Sequence, residues 1–142
     1  GSGSFQSELE NHVTTSNIQN VSFLGAKKPE ELIELYACAK FTIVPSEILE
    51  SYGNVILESF AFNKTVSISD LLGIKNEVAK NKSGLIFPHG NVLKLAESIE
   101  RLLTDADLKK ELEENAAKYV RNFSFENHFK NLLIIYKKVL QK

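Results

Sequence analysis

Short apolar runs alternate with amphipathic stretches along most of the chain. Four runs, at residues 21–24, 41–44, 66–68 and 85–87, have the length of buried strands, and glycine or proline directly follows three of them. The stretches between and after these runs repeat apolar residues at intervals of three and four, as one face of a helix does. Strands separated by helices predict an α/β fold with a parallel sheet.

The helix predictions rest on start signals and on spacing. Pro29 followed by Glu30 and Glu31 predicts the beginning of a helix, because proline suits the first turn and carboxylates suit its positive end. The inner face of this helix is predicted to consist of Leu32, Leu35, Tyr36 and Ala39. Further helices are predicted at residues 53–62, 73–80 (a helix or a turn), 92–102, 108–120 and, after an N-cap at Ser124, through Leu140.

The number of strands bears on domain organisation. An open doubly wound sheet usually has about five or six strands, more than the runs counted above. The chain begins at Gly1-Ser2-Gly3-Ser4, a glycine-rich turn that normally follows a strand, although a cloning linker has the same composition. We therefore expect residues 1–142 to form a single partial domain, an N-terminally truncated piece of a Rossmann-like parallel sheet that folds poorly alone.

Composition and charge exclude several function classes. The 17 basic and 18 acidic residues leave a net charge of -1, which disfavours nucleic-acid binding. Cys38 is the sole cysteine, so an intrachain disulfide and a cysteine-rich zinc site are excluded; we expect Cys38 to be a small buried residue. The three histidines lack the spacing of metal ligands, and no metal or cofactor is predicted. No apolar run approaches the roughly 20 residues of a membrane span.

Residues 45–62 carry the most informative chemistry. A loop there follows a predicted strand and leads directly into a helix at Gly53. Ligands of parallel sheets bind beyond the carboxyl ends of the strands. The amides of Gly53, Asn54 and Val55 would be unpaired donors of a first turn, where the helix dipole adds about half a positive charge. This arrangement predicts a phosphate-binding site.

Two glutamates flank the predicted helix start. Glu50 lies in the loop and Glu58 lies inside the helix, with seven residues between them. One carboxylate can accept hydrogen bonds from two hydroxyl groups, so the pair suits sugar hydroxyls on both sides of a diphosphate, as in a nucleotide sugar. The alternative is that both are ordinary exposed carboxylates.

These residues resemble a known family. The segment 45–70, with Val-Ser-Phe-Leu-Gly at 21–25 and Gly-Leu-Ile-Phe-Pro at 84–88, resembles the C-terminal, donor-binding domain of GT-B retaining glycosyltransferases of group 1, whose signature is two glutamates separated by seven residues. Gly1-Ser2-Gly3 resembles the family's Gly-x-Gly turn, and Phe123-Ser124-Phe125 resembles its Phe-Ser-Trp. The resemblance covers nearly the whole chain and implies that Gly1 to Ser4 are native.

The resemblance implies a role for each matching residue. Glu50 would be the catalytic residue that faces the donor sugar, Glu58 would bind the ribose hydroxyls, and Tyr52, Gly53, Asn54 and Val55 would present backbone amides to the diphosphate. Two departures from the family pattern stand out: Tyr52 replaces the usual phenylalanine, and Pro45-Ser46 lies one residue further from Glu50, as in O-antigen and capsule transferases. Glu77, in Gly73-Ile74-Lys75-Asn76-Glu77, resembles the glutamate of the family's Gly-x-x-Glu turn near the donor, with one residue more after the glycine. A structural role and a ligand contact are both open for it.

The function implied is transfer of a sugar from a UDP- or GDP-sugar to a glycan or lipid-linked acceptor in polysaccharide biosynthesis. The family's basic pair and its acceptor-binding N-terminal domain have no match in the chain, so the fragment alone is expected to be inactive. The expected location is cytoplasmic, with peripheral association at the inner face of the membrane left open. The alternative is a non-catalytic Rossmann-like module that binds a nucleotide or another protein.

Overall fold

A computed structural model describes residues 3–140 of the chain, which divides into two compact units, Gly1–Ala37 and Cys38–Lys142. The first unit contains the helix α1 (Gln6–Thr15) and nearly all of α2 (Pro29–Cys38). The helix α1 was not predicted from the sequence. This helix begins at a turn in which the Gln6 amide donates to the Gly3 carbonyl at 3.1 Å, and none of its residues is buried. Gly1 and Ser2, which belong to the predicted Gly-x-Gly turn, lie outside the described residues.

The strand predicted at residues 21–24 is wrong. These residues belong to no strand, and the side chains of Val21, Phe23 and Leu24 are 45%, 42% and 51% exposed. A strand forms only where a neighbour accepts and donates its backbone hydrogen bonds, and the sheet within residues 3–140 pairs three other segments. Apolar composition alone therefore did not make this segment a strand.

The helix α2 forms where it was predicted, but its inner face is not buried. Leu32 and Leu35 are 37% and 38% exposed, and none of the residues of α2 is buried. Cys38 is exposed, so the prediction that it is a buried small residue is also wrong. Apolar periodicity specifies which face of a helix is apolar, whereas complete burial requires another element packed over that face along its length.

The second unit is built on a parallel sheet. Its strands are β1 (Thr42–Val44), β2 (Val66–Ser69) and β3 (Gly84–Phe87), in the order β1-β2-β3. Val44 lies opposite Ile68, which lies opposite Ile86. Three of the four predicted strands are thus confirmed, and parallel pairing brings their carboxyl ends to one edge of the sheet.

Helices flank this sheet as predicted. They are α3 (Asn54–Ala61), α4 (Lys75–Asn81), α5 (Val92–Thr104), α6 (Ala106–Val120) and α7 (Phe125–Leu140), with a short 3₁₀ turn at Arg121–Phe123. Asn91 and Asp105 cap α5 and α6 by accepting from the amides of Lys94 and Leu108. The predicted cap of α7 is present too, because Ser124 Oγ accepts from the Asn127 amide at 3.3 Å.

The hydrophobic core of the second unit lies between β2 and the helices. All four residues of β2 are buried, as expected for a central parallel strand. The fully buried apolar residues of this core are Ile56, Phe60, Val66, Ile68, Leu72, Ile74, Val78 and Ala116. Two buried hydroxyls of this core are bonded to each other, because those of Ser67 and Ser98 lie 2.6 Å apart. This core fixes the strand ends from which the loops of the carboxyl edge project.

Candidate functional site

The predicted site residues all lie on the loop between β1 and α3, residues 45–53, or on α3 itself. The loop leaves the carboxyl end of β1 and enters α3 at Gly53. The sheet edge to which it belongs is the one at which α/β proteins bind ligands.

Gly53 sets the geometry of the helix start. Its φ of +75° is in the left-handed region, and a Cβ there would lie 3.0 Å from Leu72 Cδ2 and 3.1 Å from Ile56 Cδ1. The Gly53 carbonyl accepts the first bond of the helix, from the Ile56 amide at 2.9 Å, and no described side chain caps the helix. The amides of Gly53, Asn54 and Val55 therefore have no carbonyl of the helix to bond, and they lie at the positive end of its dipole.

The helix α3 separates core residues from candidate ligand-binding residues. Asn54, Val55 and Glu58 are exposed, whereas Ile56, Ser59 and Phe60 are buried. Glu58 lies just over one turn from the start of the helix. Glu58 thus lies on the exposed face of α3, near the helix N-terminus.

Glu50 is half-buried and held at two points. Ser46 Oγ donates to Glu50 Oε1, and the Gly73 amide donates to the Glu50 carbonyl at 2.8 Å. The Glu50 backbone also forms a parallel bridge with Leu72. The approach is so close that a Cβ at Gly73 would lie 2.0 Å from the Ser51 carbonyl oxygen. Glycine is therefore required at position 73, just before α4, whose first turn carries Glu77.

The side chain of Tyr52 points into an aromatic cluster of the second unit. Its hydroxyl lies 3.1 Å from that of Tyr119, and its ring centroid lies 6.1 Å from that of Phe123. Burial raises the pKa of Tyr119 well above its usual value, and the hydrogen bond to Tyr52 raises it further. Tyr52 therefore anchors the loop through its side chain and has only its backbone to offer a ligand. The hydroxyl that distinguishes it from the usual phenylalanine was the available sequence signal, because a buried tyrosine hydroxyl needs a partner.

Glu77 bonds within its own helix. Asn81 Nδ2 donates to the Glu77 carbonyl at 2.8 Å and approaches Glu77 Oε2 at 3.4 Å. The charge of Glu77 also contributes to the raised pKa of Tyr119. These contacts favour the structural role among the two that the sequence left open.

A contact between two loops was missed by the sequence analysis. Asp70, directly after β2, accepts from the backbone amide of His89 at 2.9 Å and from His89 Nδ1 at 2.8 Å. The backbone hydrogen bond, followed by the imidazole hydrogen bond, lowers the pKa of Asp70. Both residues directly or nearly follow neighbouring parallel strands, and this was the signal that could have placed them together.

Within residues 3–140, no group of three His, Cys, Asp or Glu side chains is arranged to hold a metal ion. Over the same residues, no helix combines the length and the apolar character needed to cross a bilayer.

Comparison with known proteins gives the family. The glycosyl transferases group 1 family matches residues 1–119. An uncharacterized glycosyltransferase of Methanocaldococcus jannaschii is 30% identical over 126 residues, which are 89% of this chain and 36% of that protein. A glycosyltransferase structure from Rickettsia africae superposes with a TM-score of 0.84 at 26% identity, over 97% of this chain and 37% of that one.

A third similar protein, Anabaena HepE, was solved in complex with UDP. Its TM-score is 0.79 at 23% identity, over 94% of this chain and 36% of that one, which is a likeness of fold. The chain thus spans about a third of the length of these three proteins. With the family matched over most of its residues and the GT-B fold shared with these neighbours, the chain belongs to the glycosyltransferase group 1 family and corresponds to a C-terminal domain.

Proposed function

We propose that this chain is the donor-binding half of a retaining glycosyltransferase, which transfers a sugar from a nucleotide diphosphate sugar to an acceptor hydroxyl. Family membership supports the transferase activity. The observation that carries the donor assignment is the start of α3 at Gly53, which no described side chain caps and which is flanked by Glu50 and Glu58. An anion-binding helix end between two carboxylates fits a diphosphate with hydroxyl-bearing groups on either side.

Each part of the site is assigned one part of the donor. The amides of Gly53, Asn54 and Val55 bind the diphosphate, because they lack acceptors within the helix. Glu58, on the exposed face of α3, accepts hydrogen bonds from the ribose hydroxyls. Glu50 faces the hydroxyls of the donor sugar. Tyr52 contributes its backbone only, since its side chain is bonded to Tyr119.

The chemistry follows from charge. The bond between the anomeric carbon and the diphosphate breaks as the acceptor oxygen bonds to that carbon on the same face, and the hydroxyl proton passes to the leaving diphosphate oxygen. Negative charge therefore develops on the diphosphate as the bond breaks. Amides already aimed at that position stabilise the charge without reorganising. We place the binding of a glycan or lipid-linked acceptor in a part of the protein beyond these 142 residues, and we expect this chain alone to bind donor without turnover.

Nucleotide binding by the 142-residue chain tests the proposal. UDP, GDP and ADP are titrated into the chain by calorimetry, beginning with UDP because a protein of the same fold forms a complex with it. We expect weak binding of at least one nucleotide, and a loss of about tenfold or more in Glu58→Ala, equivalent to about 1.4 kcal/mol.

The matched control for Glu58→Ala is Glu111→Ala, which removes an exposed glutamate from α6 and should leave binding unchanged. If the folded chain binds none of the three nucleotides, the donor assignment is wrong. If Glu58→Ala binds as tightly as the wild type, Glu58 does not belong to the site.

A further inference from the structure

Ser46 links the buried end of β2 to the carboxylate of Glu50. Ser69, the last residue of β2, is fully buried, and its hydroxyl donates to the Ser46 carbonyl at 2.7 Å. The hydroxyl of Ser46 in turn donates to Glu50 Oε1. A continuous series of hydrogen bonds therefore runs from the core of the second unit to the side chain that is proposed to face the donor sugar.

The loop between Ser46 and Glu50 is not held by packing of its tip. Ile48 is 71% exposed and Leu49 is 84% exposed. Apolar contacts hold most core segments in place, but such contacts are weak at the tip of this loop. Its described anchors are polar and lie at its two ends, at Ser46 and at Glu50.

The two anchors of Glu50 restrict different parts of the residue. The bond from the Gly73 amide to the Glu50 carbonyl fixes the main chain but leaves the side-chain torsions free. A glutamate side chain populates several rotamers when nothing restrains it. The bond from Ser46 Oγ to Glu50 Oε1 supplies that restraint.

We propose that Ser46 is a positioning residue that orients the Glu50 carboxylate toward the donor sugar, and that Ser69 supports Ser46. The inference rests on the proposed function for the role of Glu50. It adds that the serine of the Pro45-Ser46 pair acts on the reaction through Glu50, without itself contacting the donor. A small misplacement of a reacting or charge-stabilising group lowers the rate markedly, so loss of this restraint should appear in kcat.

A double-mutant cycle of Ser46 and Glu50 tests the inference through the turnover of the whole enzyme that contains this chain. Release of nucleoside diphosphate is followed with whichever of UDP-, GDP- and ADP-glucose is cleaved fastest. We expect Ser46→Ala to lower kcat about tenfold, with the donor KM changed less than about threefold. Ser46→Thr keeps the hydroxyl and should retain most of the wild-type kcat.

The cycle separates positioning from a general structural effect. Glu50→Ala should lower kcat about 100-fold or more, and adding Ser46→Ala to Glu50→Ala should cost less than about threefold further, because the carboxylate to be oriented is gone. Wild-type kcat in Ser46→Ala, or a full tenfold loss in both backgrounds, overturns the inference. Ser69→Ala should lower kcat in the same direction but less, with thermal unfolding measured to confirm that the variant is folded.

A readout independent of activity uses the whole enzyme that contains this chain. NMR couplings about the Glu50 side chain should report one rotamer in the wild type and averaged rotamers in Ser46→Ala. Averaging in the wild type contradicts the inference. If the enzyme cleaves none of the three donors while Glu50 keeps one rotamer that depends on Ser46, the proposed function has failed and the positioning contact has not.

Discussion

The strand β2 and the segment 21–24 are both short apolar runs, and both were predicted to be strands. All four residues of β2 are buried and the strand is paired on both sides, by β1 and β3. Residues 21–24 belong to no strand, and their large apolar side chains are 42–51% exposed. An apolar run therefore becomes a strand only where neighbouring strands complete its backbone hydrogen bonds, and the run itself does not specify those neighbours.

The comparison extends from the fold to the site. Ser69 at the end of β2 donates to the Ser46 carbonyl, and Asp70, which follows it, accepts two bonds from His89. The segment of the chain that is best buried thus holds two of the loops at the carboxyl edge.

The largest loss of stability should come from truncating a buried side chain of the central strand β2. Ile68→Ala removes a fully buried side chain and should lower the free energy of unfolding by about 2–5 kcal/mol. Leu24→Ala deletes nearly the same volume from a side chain that is 51% exposed, and about 1 kcal/mol or less should be lost. Urea unfolding of the two variants measures the difference. Equal losses would show that the segment 21–24 contributes as much as β2 does.

A pair of glycines makes the comparison at the level of the backbone. In Gly73→Ala the new Cβ meets the Ser51 carbonyl oxygen at 2.0 Å, so backbone must move, and we expect a loss of at least about 2 kcal/mol. Gly25 has a φ of +64°, and a Cβ added there would meet no atom of the described residues within 4 Å apart from its two chain neighbours. Gly25→Ala should therefore cost about 1–2 kcal/mol of conformational strain. Thermal unfolding distinguishes them, and a smaller loss at position 73 than at position 25 would contradict the close approach.

The smallest expected effect on stability is the pH dependence that Tyr119 contributes. Because its pKa is raised in the folded state, the unfolded chain releases the phenolic proton first as the pH rises. The contribution of Tyr119 to stability is therefore complete below about pH 10 and is lost as the pH rises toward its folded pKa. Tyr119→Phe should flatten the fall in stability above about pH 10. A slope in Tyr119→Phe that equals the wild-type slope contradicts the raised pKa of Tyr119.

Much of this architecture was predictable because local pattern and tertiary structure agree. The strand at 66–68, the cap at Ser124 and the loop that enters α3 at Gly53 all carry strong local signals. The helix α1 carries a weak one, since Leu9 and Val13 are its only large aliphatic residues. The roles of the site residues and the single partial domain stay predictions.

The contacts that the sequence analysis missed join distant positions. Tyr52 bonds to Tyr119 across 67 residues, and Asp70 bonds to His89 across 19. Considered alone in the sequence, each of these four residues resembles an ordinary surface or loop residue. Only the packing of α6 against α3, and the pairing of β2 with β3, brings each partner within reach. Long-range hydrogen bonds of this kind follow from topology and are not visible in spacing.

The attachment of the site loop to β2 has a thermodynamic consequence for ligand binding. Because Ser69 is buried and bonded to Ser46, the loop is ordered when the core forms, before any ligand arrives. The loss of loop entropy that association usually requires is then incurred during folding. Affinity for a ligand of this loop should consequently depend on the integrity of β2, and a substitution in the core that loosens the strand should weaken binding without touching any group that contacts the ligand.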